Sequence, residues 1–323
     1  MSASAGGTPQ QVVFLDRSTL KAQVRRPAFP HSWQEYPVTA PAELPQRLHE
    51  ATIAITNKVP LRAETLGMLP QLRMIAVAAT GYDVVDVAYC RAHGIAVSNI
   101  RNYALHTVPE HAFALITALR RNLLAYRSDV ERGRWQQVDQ FCFFDHPIRD
   151  LHGSTLGIVG EGVLGQGTAR IGRAFGMRVL FADHAPPKAD GVEFTPLQQV
   201  LEESDVISLH VPLTPATRNM IGIEELRRMK RTALLINTAR GGLVDEGALV
   251  QALREGLIAG AGFDVLTCEP PKGGNPLLEL RLPNFILTPH VAWASDGAMQ
   301  FLADQLIDNI EAFVAGSPRN LVS

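Results

Sequence analysis

A chain of 323 residues exceeds the usual span of one domain, so two domains are the better expectation. With 46% hydrophobic and 19% charged residues it has an ordinary globular composition, which excludes disorder across the whole chain. A formal net charge of −2, without any local run of Lys or Arg, supplies no basic field for nucleic acid or an anionic membrane, which leaves a small molecule as the expected partner.

The first residues, Met1 to Gln11, have neither a basic nor an apolar leader region and read as a flexible tail on a soluble protein. No later segment is apolar for long enough to span a membrane. Short apolar, β-branched runs then recur between helical patterns: VVFL at 12–15, ATIAIT at 51–56, MIAVAA at 74–79 and IAVS at 95–98. Cys90 falls in this half. With Cys142 and Cys268 it makes a scattered set with no CxxC pair and no His cluster at zinc spacing, so neither disulfides nor a metal are expected, and a reducing cytoplasm is the simplest compartment. A helix starts near His106, with Pro109 in its first turn and Ala112, Leu115, Ile116, Leu119 and Leu123 on one face.

Six further strands follow, separated by helical patterns: LGIVG (156–160), RVLFAD (178–183), DVISLHV (205–211), ALLINT (233–238), IAGAGFDV (258–265) and FILTP (285–289). Six is the strand count of a Rossmann unit. The last segment, Asp296 to Gly316, spaces Met299, Leu302, Leu306, Ile310 and Phe313 by threes and fours and ends at a Gly before Pro318, the pattern of an amphipathic helix that packs back on the first domain.

Gly160, Gly162 and Gly165 stand as GEGVLG, with Val163 and Leu164 between them, directly after an apolar strand and before a helical run. In that context the first Gly permits the tight turn, the second lets backbone approach a pyrophosphate, and the third packs helix on strand with the helix N-terminus facing the anion. Asp183 ends the next strand, 18 positions past Gly165, where a carboxylate accepts from ribose hydroxyls and repels a 2′-phosphate. No Arg follows it in His184–Pro187, so NAD (NADH) is expected over NADP, with Lys188 keeping the alternative open.

Arg240, Glu269 and His290 follow three successive strands at their C-terminal ends, the edge where a doubly wound sheet places ligands. Reducing a 2-oxo acid needs a grip on carboxylate and carbonyl, which the planar Arg fork provides, and a proton donor, which His provides near neutral pH. A carboxylate on the far ring nitrogen orients the imidazole. A lone Arg, Glu or His at a strand end is more often a surface ion or a core satisfier, so spacing alone leaves these three a candidate set.

At this point the residues resemble a family. IVGEGVLG, NTARGGLVDEGALVQAL, GFDVLTCEP and TPHVAWAS occur in the order and spacing of D-2-hydroxyacid dehydrogenases, and TGYDVVDV (80–87) and YALHTVPEHAFALI (103–116) fit the same family's earlier motifs. The resemblance covers nearly the whole chain. It implies an α/β fold of two Rossmann-like, doubly wound parallel-sheet domains: a flavodoxin-like substrate domain (residues 1–103 and 292–323) and an NAD-binding Rossmann domain (104–291), with a cleft between them and a homodimer. It assigns catalysis to Arg240, Glu269 and His290, the nicotinamide carboxamide to Asp264, cofactor contacts to Thr107, Val211, Pro212, Thr238 and Ala239, and the substrate carboxylate to backbone amides near Thr80 and Gly81, together with Arg240 and His290. TVPEH at 107–111 departs from the family's SVAEH-like run, and Cys268 is read as packing. ITNKVPL (55–61), GRW (133–135), FCFF (141–144) and AWAS with Trp293 resemble the glycerate dehydrogenase and hydroxypyruvate reductase branch. Enzymes for D-lactate or formate, and NAD(H)-sensing corepressors on the same fold, are the alternatives.

Overall fold

The computed structural model describes residues 9–182 and 194–322. Asp183 and Lys188, the two residues on which the coenzyme preference was argued, lie outside the described residues, as does the stretch before residue 9. Gln10 and Gln11, read above as part of a tail, belong to the first strand instead.

The chain divides into two units. One comprises the residues up to Tyr103 together with Ala294 onward, and the other runs from Ala104 to Trp293. The first unit is built on a five-stranded, all-parallel sheet in the order β2-β1-β3-β4-β5, with β1 Gln10–Phe14, β2 His31–Glu35, β3 Ile53–Thr56, β4 Met74–Val77 and β5 Ala96–Ser98. This is the flavodoxin-like doubly wound order. β3 and β4 are buried at every position, as strands covered on both faces must be, which is why they read as continuous apolar runs. The sequence pattern missed β2 because it is an edge strand whose residues, HSWQE, are mostly exposed. The C-terminal helix Asp296–Val314 covers β4, capped by the Ser295 hydroxyl, which accepts from the Ala298 amide. It buries Met299, Leu302, Leu306 and Ile310, and Asn309 within it donates to the Asn99 carbonyl at 3.0 Å.

The second unit carries a seven-stranded parallel sheet, β12-β11-β10-β9-β6-β7-β8. Its strands are β6 Thr155–Val159, β7 Arg178–Ala182, β8 Phe194–Thr195, β9 Val206–Leu209, β10 Leu234–Asn237, β11 Gly260–Phe263 and β12 Phe285–Leu287. The additional member, against the six expected, is the two-residue edge strand β8, too short for any periodicity. Strand order reverses between β6 and β9, so the turn after β6 sits at the topological switch point where such sheets bind ligands.

The helix that starts near His106 spans Thr107–Arg120 and packs on β10, β11 and β12 through Ala112, Leu115, Ile116 and Leu119. Leu123 does not share that face. Asn122 takes a left-handed φ of 50°, the helix stops, and a second one, Leu123–Glu131, sets off in a new direction with Leu123 55% exposed.

Candidate active site

The turn after β6 is shaped by steric necessity. Gly160 has φ +112°, and a Cβ there would meet the His210 carbonyl oxygen at 2.6 Å. A Cβ on Gly165 would lie 1.9 Å from the Gly160 carbonyl oxygen, so that position holds the helix Val163–Ala174 directly on the turn. Gly162 differs. It is the N-cap of that helix with no side-chain cap, and a Cβ there would meet nothing within 4 Å, so packing does not explain its lack of a side chain whereas backbone approach to an anion does. Val163 is 57% exposed beside it and Leu164 is half-buried. Across the sheet edge, Val211 is buried, Pro212 is exposed, and the Thr238 hydroxyl is buried with no hydrogen-bond partner. An orphaned buried hydroxyl, a bare helix N-terminus and an uncrowded glycine together fit a dinucleotide. Ala239 follows Thr238, its amide donating to Asn237 Oδ1 at 3.1 Å.

His210 forms the wall against Gly160. Its amide donates to the Val159 carbonyl at 2.7 Å and its Nε2 lies 2.9 Å from Ser208 Oγ, and burial pushes the imidazole down to about 4. An unfolded chain takes up this proton below the ordinary value near 6.5, whereas the folded one holds out until about 4, so the stability contributed by neutral His210 is complete above pH 6.5 and is lost as pH falls toward 4. Between pH 7 and 5 the unfolding free energy of the wild type is expected to drop by about 1–2 kcal/mol more than that of His210→Gln, at about 1.4 kcal/mol per unit. Parallel pH dependences of Tm in the two proteins would show that His210 is not buried as described.

Arg240, Glu269 and His290 stand at the ends of β10, β11 and β12, which are adjacent in the sheet and in parallel register. Three neighbouring strand ends deliver three side chains to one edge. The loops are also bound to each other: a Cβ on Gly241, directly after Arg240, would lie 2.0 Å from the Leu266 carbonyl carbon, so the backbone carrying Arg240 runs hard against the backbone leading to Glu269. Sequence reading missed Gly241. Its only signal is a glycine beside the candidate Arg, where a close approach of two backbones leaves no room for a side chain.

His290 Nδ1 lies 2.5 Å from Glu269 Oε2, and Glu269 Oε1 accepts from the Leu266 amide at 2.8 Å. Facing a carboxylate, Nδ1 carries a hydrogen and donates, which fixes the ring and leaves Nε2 for proton exchange. The two side chains are 25% and 32% exposed, accessible enough for a solute yet shielded by their loops. Arg240 Nη1 donates to the Ala239 carbonyl at 2.8 Å, and its own carbonyl accepts from Asn237 Nδ2 at 2.8 Å.

Asp264 is 1% exposed, with Oδ1 accepting from Thr288 Oγ1 (2.6 Å) and the Val291 amide (2.9 Å) and Oδ2 from the Ala292 amide (2.8 Å). Assigned by resemblance to the nicotinamide, it is engaged here with the loop that carries His290. Thr107, the first residue of its helix, donates through Oγ1 to the Ala292 carbonyl at 3.2 Å. Thr80 and Gly81 belong to the first unit, where Thr80 Oγ1 donates to the Ile100 carbonyl at 2.7 Å. Cys268 is exposed, not packed, because it lies in the irregular, solvent-facing segment 267–270 that carries Glu269. Among the described residues no His, Cys, Asp and Glu are grouped to hold a metal ion, and no helix is long and apolar enough to cross a membrane.

Residues 113–292 match the family described as D-isomer specific 2-hydroxyacid dehydrogenase, NAD binding domain. The chain is similar to the glycerate dehydrogenase of Methylorubrum extorquens, 59% identical over 97% of this chain and 99% of that one. It is also similar to the hydroxypyruvate reductase of Blautia hydrogenotrophica, 38% identical over 87% and 88% of the two chains. Among solved structures, an acyclic imino acid reductase in complex with NADPH and D-Arg superposes with a TM-score of 0.83 at 29% identity, over 97% of this chain and 100% of that one.

Proposed function

This chain belongs to the D-isomer specific 2-hydroxyacid dehydrogenase family and is a nicotinamide-dependent oxidoreductase of 2-oxo and 2-hydroxy acids, and we propose that its substrates are hydroxypyruvate and glyoxylate, reduced by NADH to D-glycerate and glycolate. The observation that carries the chemical reading is the 2.5 Å contact of His290 Nδ1 with Glu269 Oε2 on the strand ends beside Arg240. The extensive identity with a glycerate dehydrogenase supports the substrate choice.

In this reading a bound nicotinamide supplies or accepts the hydride at the substrate C2. Arg240 holds the carboxylate and draws electron density onto the keto oxygen with the same planar fork. As negative charge develops on that oxygen, His290 passes the Nε2 proton to it, and Glu269 offsets the positive charge of the imidazolium before transfer. In the oxidative direction neutral His290 takes the hydroxyl proton back. Gly160, Gly162 and the amides opening the Val163–Ala174 helix would hold the pyrophosphate, with Val211, Pro212, Thr238 and Ala239 along the rest of the dinucleotide.

Asp183 is proposed to select NADH by accepting from the ribose and repelling a 2′-phosphate. Each effect is charge-assisted and worth about 1–3 kcal/mol, so kcat/KM with hydroxypyruvate is expected to be at least about tenfold higher with NADH than with NADPH, and the gap is expected to narrow in Asp183→Ala. A wild type that prefers NADPH would overturn the role of Asp183, and one that turns over neither hydroxypyruvate nor glyoxylate would overturn the substrate assignment.

A homodimer in the cytoplasm is part of the same proposal. Phe141 and Phe144 are 88% and 80% exposed, and exposed Trp135 stands beside them, its Nε1 donating to the Phe141 carbonyl at 3.0 Å, so large aromatic side chains are left for a partner surface to cover. All three cysteines are free, as a reducing compartment allows. Sedimentation of the wild type at micromolar concentration is expected to give a dimer, and Phe141→Asp with Phe144→Asp a monomer. A monomeric wild type would dispose of this assembly.

A further inference from the structure

His290 is presented by an unfavourable backbone. Its φ is +57°, a left-handed conformation costing a non-glycine residue about 1–2 kcal/mol, and Asp264 bonds to His290 and to the residues on either side of it. The Asp264 carbonyl accepts from the His290 amide at 2.7 Å while its carboxylate accepts the two amides that follow, from Val291 and Ala292. The carboxylate also accepts from a side chain, Thr288 Oγ1, 2.6 Å from Oδ1.

That hydroxyl has a second neighbour. His111 Nε2, from the helix Thr107–Arg120, lies 3.0 Å from Thr288 Oγ1 and 3.8 Å from Asp264 Oδ1. A hydroxyl has one hydrogen, and a carboxylate oxygen at 2.6 Å claims it, so the lone pairs of Thr288 face His111 and the imidazole must donate from Nε2. Donation runs in one direction, from His111 Nε2–H to Thr288 Oγ1–H to the Asp264 carboxylate.

We propose that His111 is a positioning residue for proton transfer, acting through Thr288 and Asp264 to hold the left-handed turn that aims His290. The proposal rests on the reading of His290 as the proton donor. His111 belongs to a helix packed on β10, β11 and β12, so the turn is referenced to the body of the sheet and not to a loop. Removing the donor leaves Thr288 free to turn its hydrogen away, toward the Phe263 carbonyl already 3.4 Å distant, and Asp264 then loses its side-chain donor. A neutral donor at the same reach suffices, since a single N–H is all that Thr288 requires.

Three variants test this. His111→Phe keeps the ring and loses the donor, His111→Gln places an amide N–H near the position of Nε2, and Thr288→Val removes the hydroxyl. In His111→Phe, kcat is expected to fall about tenfold, with KM for hydroxypyruvate and Kd for NADH each within threefold of wild type. His111→Gln is expected to recover kcat to within threefold. The double variant His111→Phe, Thr288→Val is expected to lose no more than Thr288→Val alone, because both act on one chain. Hydrogen exchange at the Val291 and Ala292 amides, read without any turnover, is expected to quicken severalfold in His111→Phe and to return toward wild type in His111→Gln. A His111→Phe enzyme with wild-type kcat and exchange would overturn the proposal, as would a Gln variant as impaired as the Phe one. If the wild type itself turns over no 2-oxo acid, the functional reading fails, whereas the exchange measurement still decides whether His111 positions the turn.

Discussion

Replacing His290 by Asn lowers kcat for 2-oxo acid reduction about 10²–10⁴-fold while leaving the Kd for NADH within about threefold of wild type, the loss expected when a positioned general acid is removed. Asn is the informative substitution. At φ +57° it tolerates the left-handed backbone better than any other side chain, so the turn from Thr288 to Ala292 and its bonds to Asp264 survive and only the proton is lost. His290→Ala removes the proton and adds the cost of an alanine in that conformation, so it is expected to be at least as slow and also less stable. The proposed dinucleotide site lies in other parts of the unit, the Gly160–Gly165 turn and the helix after it, so NADH affinity is expected to stay. Fluorescence titration with NADH beside steady-state kinetics separates the two quantities. Equal losses in both would mean that His290 is a binding or structural residue, and the proton donor would have to be sought elsewhere.

The second large effect is at Arg240. Arg240→Lys keeps the charge and loses the planar fork, so one of two charge-assisted hydrogen bonds to the substrate disappears, worth about 1.5–3 kcal/mol or about 10–150-fold in kcat/KM. Both KM and kcat are expected to change, because the proposed carboxylate contact would exist in the ground state whereas the proposed contact to the keto oxygen would strengthen as charge develops there. Glyoxylate and hydroxypyruvate share that carboxylate and carbonyl, so both are expected to suffer alike. A Lys variant with wild-type kcat/KM on either substrate would take Arg240 out of the site.

How much of this was legible beforehand depended on the physical origin of each feature. Strands such as Ile53–Thr56 and Leu234–Asn237 are buried on both faces, so they leave unbroken apolar runs that any reading of hydrophobicity finds. The edge strand His31–Glu35 buries almost nothing and leaves no such trace. The end of the helix at Arg120 was hidden for a different reason: the apolar spacing continues through Leu123, and a single left-handed Asn122 overrides it. At the site, residue types that carry chemistry could be located because three strand ends and a glycine turn occupy fixed places in the doubly wound pattern. Gly241, His111 and Thr288 could not. Their importance lies in what stands beside them in space, a backbone 2.0 Å from an imagined Cβ and a hydroxyl shared between an imidazole and a carboxylate, and neither has a periodicity.

The closing of the first sheet by the last helix has a consequence for the birth of the protein. The second unit is one uninterrupted stretch and can assemble as soon as it is made, whereas the first is completed only by residues from Ala294 onward. Val97 and Asn99 wait for Val322 and Asn320, and the covered face of β4 waits for Leu302 and Leu306. Between Tyr103 and Ala294 the ribosome must add roughly 190 residues, which at about 5–20 residues per second takes on the order of 10–40 seconds. Through that interval the earliest-made part of the chain carries uncovered apolar surface, so the first residues to be made are among the last to be packed.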